Sequence, residues 1–313
     1  MTQPLADRTA DRDGTMSEIN GLARPAGHGG PRVLTVANQK GGVGKTTTAI
    51  NLATALAAIG ERVLVIDLDP QGNASTGLGI DRRKRDLSTY DVMTGERPLA
   101  DVVLATAVPG LAVAPSTMDL LGVELEIAGE ADRVHRLRAA IAGLPAGAYS
   151  YILIDCPPSL NLLTINALVA AQAILVPLQC EFFALEGLSQ LLSTVDQVKR
   201  SLNPQLRIHG IVLTMYDGRN NLAAQVVADV RETMGEAVYE TVIPRNVRLS
   251  EAPSHGKPAL LYDVRCSGSQ AYIRLASEVI QRERRLDAAA AGAGRAAWPT
   301  RAAGAGSGAG WRR

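Results

Sequence analysis

The stretch ANQKGGVGKTTTAINLA, running from Ala37 to Ala53, crowds glycines, lysines and threonines into a few positions. Gly41, Gly42 and Gly44 let a loop curl until successive backbone N–H groups face one point, and a helix starting at the threonines adds its partial positive charge there. A polyphosphate suits that point. Lys45 would sit on the β- and γ-phosphates of a nucleotide as a compact charge, Thr46 would offer its hydroxyl to Mg2+, and Val43 and Thr47 belong to the same cradle. The strict pattern GxxxxGK[ST] fails only at Gln39, which stands where the first glycine belongs. Lys40 is the other oddity, because one phosphate site does not need a second lysine.

Carboxylates follow at two further places. In VLVIDLDPQGNAS the strand period of two puts Asp67 and Asp69 on the same side of a sheet edge, with Asp69 farther out. Two such acids repel unless something positive lies between them, and Mg2+, its waters and an attacking water supply that reason. The alternative is a pair of solvated turn acids before Pro70-Gln71-Gly72. In YILIDCPP four apolar residues deliver Asp155 to another strand end, where it can hold the metal through its hydration shell. Cys156, with no base or second thiol beside it, reads as a small packing residue.

Positioning these groups takes a sheet. Apolar runs at 33–38, 62–69, 111–116, 151–158, 173–178, 208–216 and 238–244 alternate with helical patterns at 45–59, 185–202 and 222–234. Near-continuous Val/Ile/Leu strands imply burial on both faces. The expected fold is a three-layer α/β/α arrangement with a mostly parallel sheet, its ligands at the strand C-terminal ends. Residues 1–31 form a polar arm without apolar period, 32–285 the nucleotide-binding domain, and 286–313 an Ala/Gly/Arg-rich tail. Both ends are expected to be disordered. The tail is either simply solvated or weakly attracted to phosphate backbones.

Composition bounds the rest. The 313 residues are 46% hydrophobic and 20% charged with a formal net charge of +1, so the chain as a whole is no polyanion binder, although a local basic face fits within that balance. Three scattered cysteines give no CxxC pair, which excludes a zinc knuckle or disulfide framework and favours a reducing cytoplasm. The most apolar window, 160–178, contains Asn161, Asn166, Gln172 and Pro177 and is too polar for a bilayer span. His135 and His209 lack ligand partners in their patterns. Phe182-Phe183 either pack a strand-to-helix turn or shape a dimer face.

Taken together, KGGVGKTT with its extra lysine, VLVIDLDPQGNAS, YILIDCPPS and VIPRNVRLSEAPS resemble the ParA/Soj family of chromosome- and plasmid-partitioning ATPases, over roughly residues 32–282. The resemblance implies a P-loop NTPase with a deviant Walker A motif, ATP and Mg2+ as cofactors, and catalytic roles for Lys40, Lys45 and Asp69. It makes Lys40 the signature lysine that reaches the other subunit's phosphates in an ATP-bound homodimer. It puts Mg2+ on Thr46, Asp69 and Asp155, and adenine against Pro244 and Asn246, which read equally as ordinary turn residues. It matches surface arginines for nonspecific double-stranded DNA to Arg219 and Arg248, each of which could instead be solvated or ion-paired. The implied partner is a ParB-like centromere-binding protein that accelerates hydrolysis, with a cytoplasmic, nucleoid-associated protein as the result. A MinD-like positioning ATPase is the alternative, but the tail lacks the amphipathic membrane helix that this would need.

Overall fold

A computed structural model describes residues 30–295. Eight strands form one sheet: β1 (Arg32–Val36), β2 (Val63–Asp67), β3 (Leu104–Ala105), β4 (Leu111–Ala114), β5 (Tyr151–Asp155), β6 (Ala173–Gln179), β7 (Arg207–Tyr216) and β8 (Val238–Pro244). The order is β3-β4-β2-β5-β1-β6-β7-β8. All pairings are parallel except that of the two-residue β3 with β4. The seven strands expected from apolar runs are all present; β3 is too short to carry a period.

Helices of nine residues or more are α1 (Lys45–Ala58), α2 (Leu162–Ala170), α3 (Ala184–Ser201), α4 (Asn221–Met234) and α5 (Ser267–Arg295). Because side chains alternate along each strand, one face of the sheet buries Leu64, Ile66, Ile152, Ile154, Ile174 and Val176 in a core shared with α2 and α3. The opposite face is covered by α1, which packs on β1, β2 and β5 and is buried from Thr48 to Ala57. Three layers result. Thr48 on α1 is tied to the buried Tyr272 hydroxyl of α5 at 3.1 Å.

The apolar window at 160–178 resolves into α2 and β6, and no helix among the described residues is long and apolar enough to cross a membrane. The compact unit that carries the sheet ends at Glu278, and a second unit begins at Val279. Helix α5 continues past Arg285, the expected domain boundary, to Arg295. Its alanines at 288–291 are the strongest helix formers, so composition that read as tail extends a helix instead. The rest of the tail and residues 1–29 lie outside the described residues.

His209 is a core histidine, with Nδ1 hydrogen-bonded to the Tyr239 hydroxyl. Phe182 and Phe183, in contrast, do not pack the turn before α3. They are 73% and 62% exposed and touch each other edge-to-face, while Ala184 takes the buried position.

One buried amide holds the end of α2. Asn203 Nδ2 donates to the carbonyls of Leu168, Val169 and Ala171 at 2.9, 3.2 and 2.7 Å, satisfying acceptors that a helix terminus leaves open. Asn203→Ala strands those buried carbonyls and should lower unfolding free energy by about 1–3 kcal/mol in urea titration.

Candidate functional site

Strand β1 lies between β5 and β6, where the strand order reverses, and this is where a doubly wound sheet opens a crevice at its C-terminal edge. The register aligns Val36 with Asp155 and Asp67 with Asp155, so the chain leaves three neighbouring strands at one level. A cleft of about 540 Å3 opens above that edge. Gly41, Gly42, Gly44, Lys45, Thr46 and Thr47 form one wall; Asp69, Pro70, Gln71, Asn73 and the Pro157–Asn161 loop face them.

The loop wall follows from its glycines. Gly42 and Gly44 have φ of 75° and 90°, a region that side chains with a Cβ avoid, and Gly44 caps α1 with no acidic residue in the first turn. The positive helix end is therefore left for an outside anion. Thr214 Oγ1 donates to the Val43 carbonyl at 2.9 Å and fixes the loop to β7. Lys45 is 7% exposed; its Nζ donates to the Lys40 carbonyl at 2.9 Å. Burial lowers its pKa, and Asp155, Cys156 and Asp69 oppose that shift by their charge.

Lys40 behaves differently. Its side chain does not line the cleft but turns to Glu181, Nζ to Oε2 2.7 Å, with both partners roughly half exposed. Its backbone N–H is held by Asn38 Oδ1 at 3.0 Å. Glu181 escaped sequence reasoning because nothing in its own segment marks it; only the sheet brings the end of β6 beside the loop after β1.

The carboxylates divide by partner. Asp67 is fully buried and accepts from the Asp69 and Ser75 amides at 3.2 and 2.8 Å and from Ser75 Oγ at 2.6 Å. Burial nevertheless pushes its pKa up to about 6. Asp67 is thus a structural anchor, and Asp69 alone of the pair reaches the cleft, with Oδ1 accepting from the Gln71 amide at 3.0 Å. Asp155 lies below the cleft floor. Both its oxygens are buried without a hydrogen-bond partner at normal distance among the described residues, although the Thr46 hydroxyl is near enough to offset part of the burial cost. Burial first, and Asp67 next, raise its pKa well above the carboxylate range. Mg2+ with its water shell fits such a place, since a hard cation takes oxygen ligands from a hydroxyl, carboxylates and water. Burial likewise raises the Cys156 thiol, which leaves it inert.

A second pocket of about 190 Å3 shares Gly44, Thr47 and Met215 with the cleft and adds Pro244, Arg245 and Asn246. Asn246 also caps the short helix Val247–Glu251 through Arg248 N and donates to Ser267 Oγ at 2.9 Å. Met215 holds a φ of 53°, alone among described non-glycine residues, a strain that sequence does not display. Arg219 and Arg248 lie outside both pockets. Arg219 is bidentate to Asp217 at 2.9 and 2.7 Å, and Arg248 pairs with Glu251 at 3.0 Å and Asp263 at 3.6 Å. Arg245, bonded through its amide to the Tyr216 carbonyl, adds a second cation near Asp217 that the sequence did not single out.

Residues 31–208 match a family model described as an AAA domain. The chain is 64% identical over 261 residues to the chromosome partitioning protein ParA of Caulobacter vibrioides, covering 83% of this chain and 98% of that one. It is 52% identical over 248 residues to the sporulation initiation inhibitor protein Soj of Bacillus subtilis, covering 79% and 98%. Among solved structures, cobyrinic acid a,c-diamide synthase from Mycobacterium smegmatis with bound ADP and magnesium is 36% identical at a TM-score of 0.72, over 81% of this chain and 96% of that one. The septum site-determining protein MinD of Pyrococcus horikoshii, complexed with Mg-ADP, is 28% identical at 0.65, over 80% and 96%. Sequence motifs, sheet topology and these likenesses agree: the chain belongs to the ParA/Soj family of chromosome-partitioning P-loop ATPases.

Proposed function

We propose that the chain is an ATP-driven partitioning switch whose ATP-loaded form is a homodimer, binds double-stranded DNA without sequence preference, and is released when a ParB-like partner stimulates hydrolysis. ATP enters the cleft with its phosphates on the amides of Gly41 to Thr47, the N-terminus of α1 and Lys45. The base takes the adjoining pocket against Pro244 and Asn246. Thr46, Asp69 and Asp155 would hold Mg2+, which would supply charge neutralisation of the phosphates. Asp69, carried on the cleft wall by the turn after β2, orients the attacking water.

The observation that carries the dimer is the division of labour between the lysines. Lys45 is buried under the phosphate site, whereas Lys40 projects from the same loop to the rim and pairs with Glu181. A second ammonium on one triphosphate adds repulsion from the first; aimed at the triphosphate of another subunit, it makes occupancy and pairing one event. The exposed Phe182-Phe183 pair, next to Glu181, belongs to the same rim. Removal of the γ-phosphate takes away the anion that holds the two subunits together.

DNA binding is assigned to Arg219 and Arg248 on the β7–β8 edge. Each is paired with a carboxylate, so one arginine competes weakly for phosphate, but a dimer doubles the number of arginines and affinity climbs steeply with phosphates neutralised. The proposed location is cytoplasmic and nucleoid-associated. The MinD relative shares the fold, but its 28% identity stands below the 64% and 52% of the partitioning proteins.

Lys40→Ala should still bind ATP yet remain monomeric with ATP in light scattering; robust ATP-dependent dimers of that variant contradict the cross-site role. Arg219→Ala with Arg248→Ala should keep the dimer and lower the slope of log affinity for DNA against log salt by about four, roughly one for each arginine removed from the dimer. An unchanged slope moves the DNA site elsewhere. Asp155→Asn replaces a buried carboxyl whose ionisation burial opposes and which has no hydrogen-bond partner at normal distance, so the ligand-free protein should melt no lower than the parent. The same variant should lose Mg2+-dependent turnover by about a hundredfold or more; turnover near the parent level assigns the metal to other residues.

A further inference from the structure

Asp69 stands on a turn that must be rigid if its carboxylate is to hold a water in line. The turn runs from Asp69 to Gly72, closed by the Gly72 amide on the Asp69 carbonyl at 2.8 Å. No residue of the nucleotide cleft holds its outer side; a buried arginine does.

Arg85 belongs to a run of exposed bases, RRKR, and is 7% exposed while its neighbours Arg82, Arg83 and Lys84 are open to solvent. It has no ion pair among the described residues and points four N–H groups at four neutral acceptors. Nη1 donates to the Gly72 and Ser116 carbonyls at 3.3 and 3.0 Å, and Nη2 to Thr76 Oγ1 and the Ile80 carbonyl, both at 2.8 Å. Ser116 completes the circuit. Its Oγ donates to the Asp69 carbonyl at 2.6 Å, and its amide donates to Ser75 Oγ, which in turn holds Asp67. Gly72 has a φ of 63°, and a Cβ there would run into Arg85 Nη1 and close to 3.0 Å on the Ser116 carbonyl. The guanidinium therefore fills the space that the glycine leaves.

We infer that Arg85 is a positioning residue for hydrolysis: by clamping Gly72, Thr76, Ile80 and Ser116 at once, it fixes the Asp69–Gly72 turn and hence the direction of the Asp69 carboxylate. A planar five-donor fork can make these four bonds together, and an ammonium cannot. Burying an arginine without a carboxylate partner is costly, and fold alone does not need it here, since the turn and the helix Asn73–Gly77 already close through backbone bonds. Arg85 touches neither wall of the cleft, so nucleotide affinity should be indifferent to it.

The inference rests on the role proposed for Asp69, and the test separates the two. Arg85→Lys, Ser116→Ala and Asp69→Ala are compared as full-length chains by steady-state Mg-ATP hydrolysis, binding of a fluorescent ATP analogue and thermal melting. Arg85→Lys should lose about tenfold to a hundredfold in kcat while KM and analogue affinity stay within about threefold, the pattern of lost transition-state positioning. Ser116→Ala keeps the clamp but cuts the hydroxyl link to the Asp69 carbonyl and leaves the link through Gly72, so it should show the same split with a smaller drop. It also serves if the lysine variant does not fold. Parent-like kcat in folded Arg85→Lys, or in Ser116→Ala where the lysine variant does not fold, together with loss in Asp69→Ala overturns the positioning route, as does a parallel fall of affinity and kcat in folded Arg85→Lys. Parent-like kcat in Asp69→Ala overturns the assignment of Asp69 itself.

Discussion

Three carboxylates and one ammonium held out of water at the ends of adjacent strands are the constraint on which the site depends. Stripping a single ion of water costs several kcal/mol even after relaxation, in a domain whose net stability is only about 5–15 kcal/mol. Each charge here is accommodated differently. Asp67 is answered inside the protein by two amides and a hydroxyl, and it becomes the post around which the next turn is built. Lys45 is balanced by the carboxylates near it and by a backbone carbonyl. Asp155 is answered least well by the protein, and this is the feature that calls for a cation from outside.

In the proposed switch the two lysines of one loop are not redundant, for the same electrostatic reason. In that proposal Lys45, under the curled loop of N–H donors, serves the phosphates of its own subunit, while Lys40, splayed toward Glu181, is left for those of another. Glu181, paired with Lys40, is followed directly by the two exposed phenylalanines, whose rings meet edge-to-face.

Much of this is legible in the amino-acid sequence alone. The glycine spacing, carboxylates at or just past the ends of two strands, and the alternation of strand and helix follow from periodicity and from what phosphate and Mg2+ require. The misses have physical reasons. Asp67 and Asp69 share a strand phase, but the strand ends at Asp67, so their carboxylates diverge and only one meets the cleft. Arg85 reads as one more base in a charged run, because burial of a single residue in a loop leaves no period. Glu181, Met215 and Arg245 are brought to the site by pairing between strands distant in sequence. Helix α5 runs on into the stretch expected as a tail from residue 286 because alanine, ambiguous in a tail, continues a helix once one is under way.

In the proposed site the carboxylate edge and the phosphate loop act as one unit, satisfied only when triphosphate and divalent cation arrive together. Thermal melting of the full-length protein with ATP plus Mg2+, ATP plus EDTA, and Mg2+ alone measures this directly, because a ligand stabilises by its occupancy of the folded state. A shift with ATP plus Mg2+ that clearly exceeds the sum of the two separate shifts is expected. An equal shift with ATP in EDTA would mean that the buried carboxylates do not wait for a metal, and would contradict the coupling of the two halves of the site.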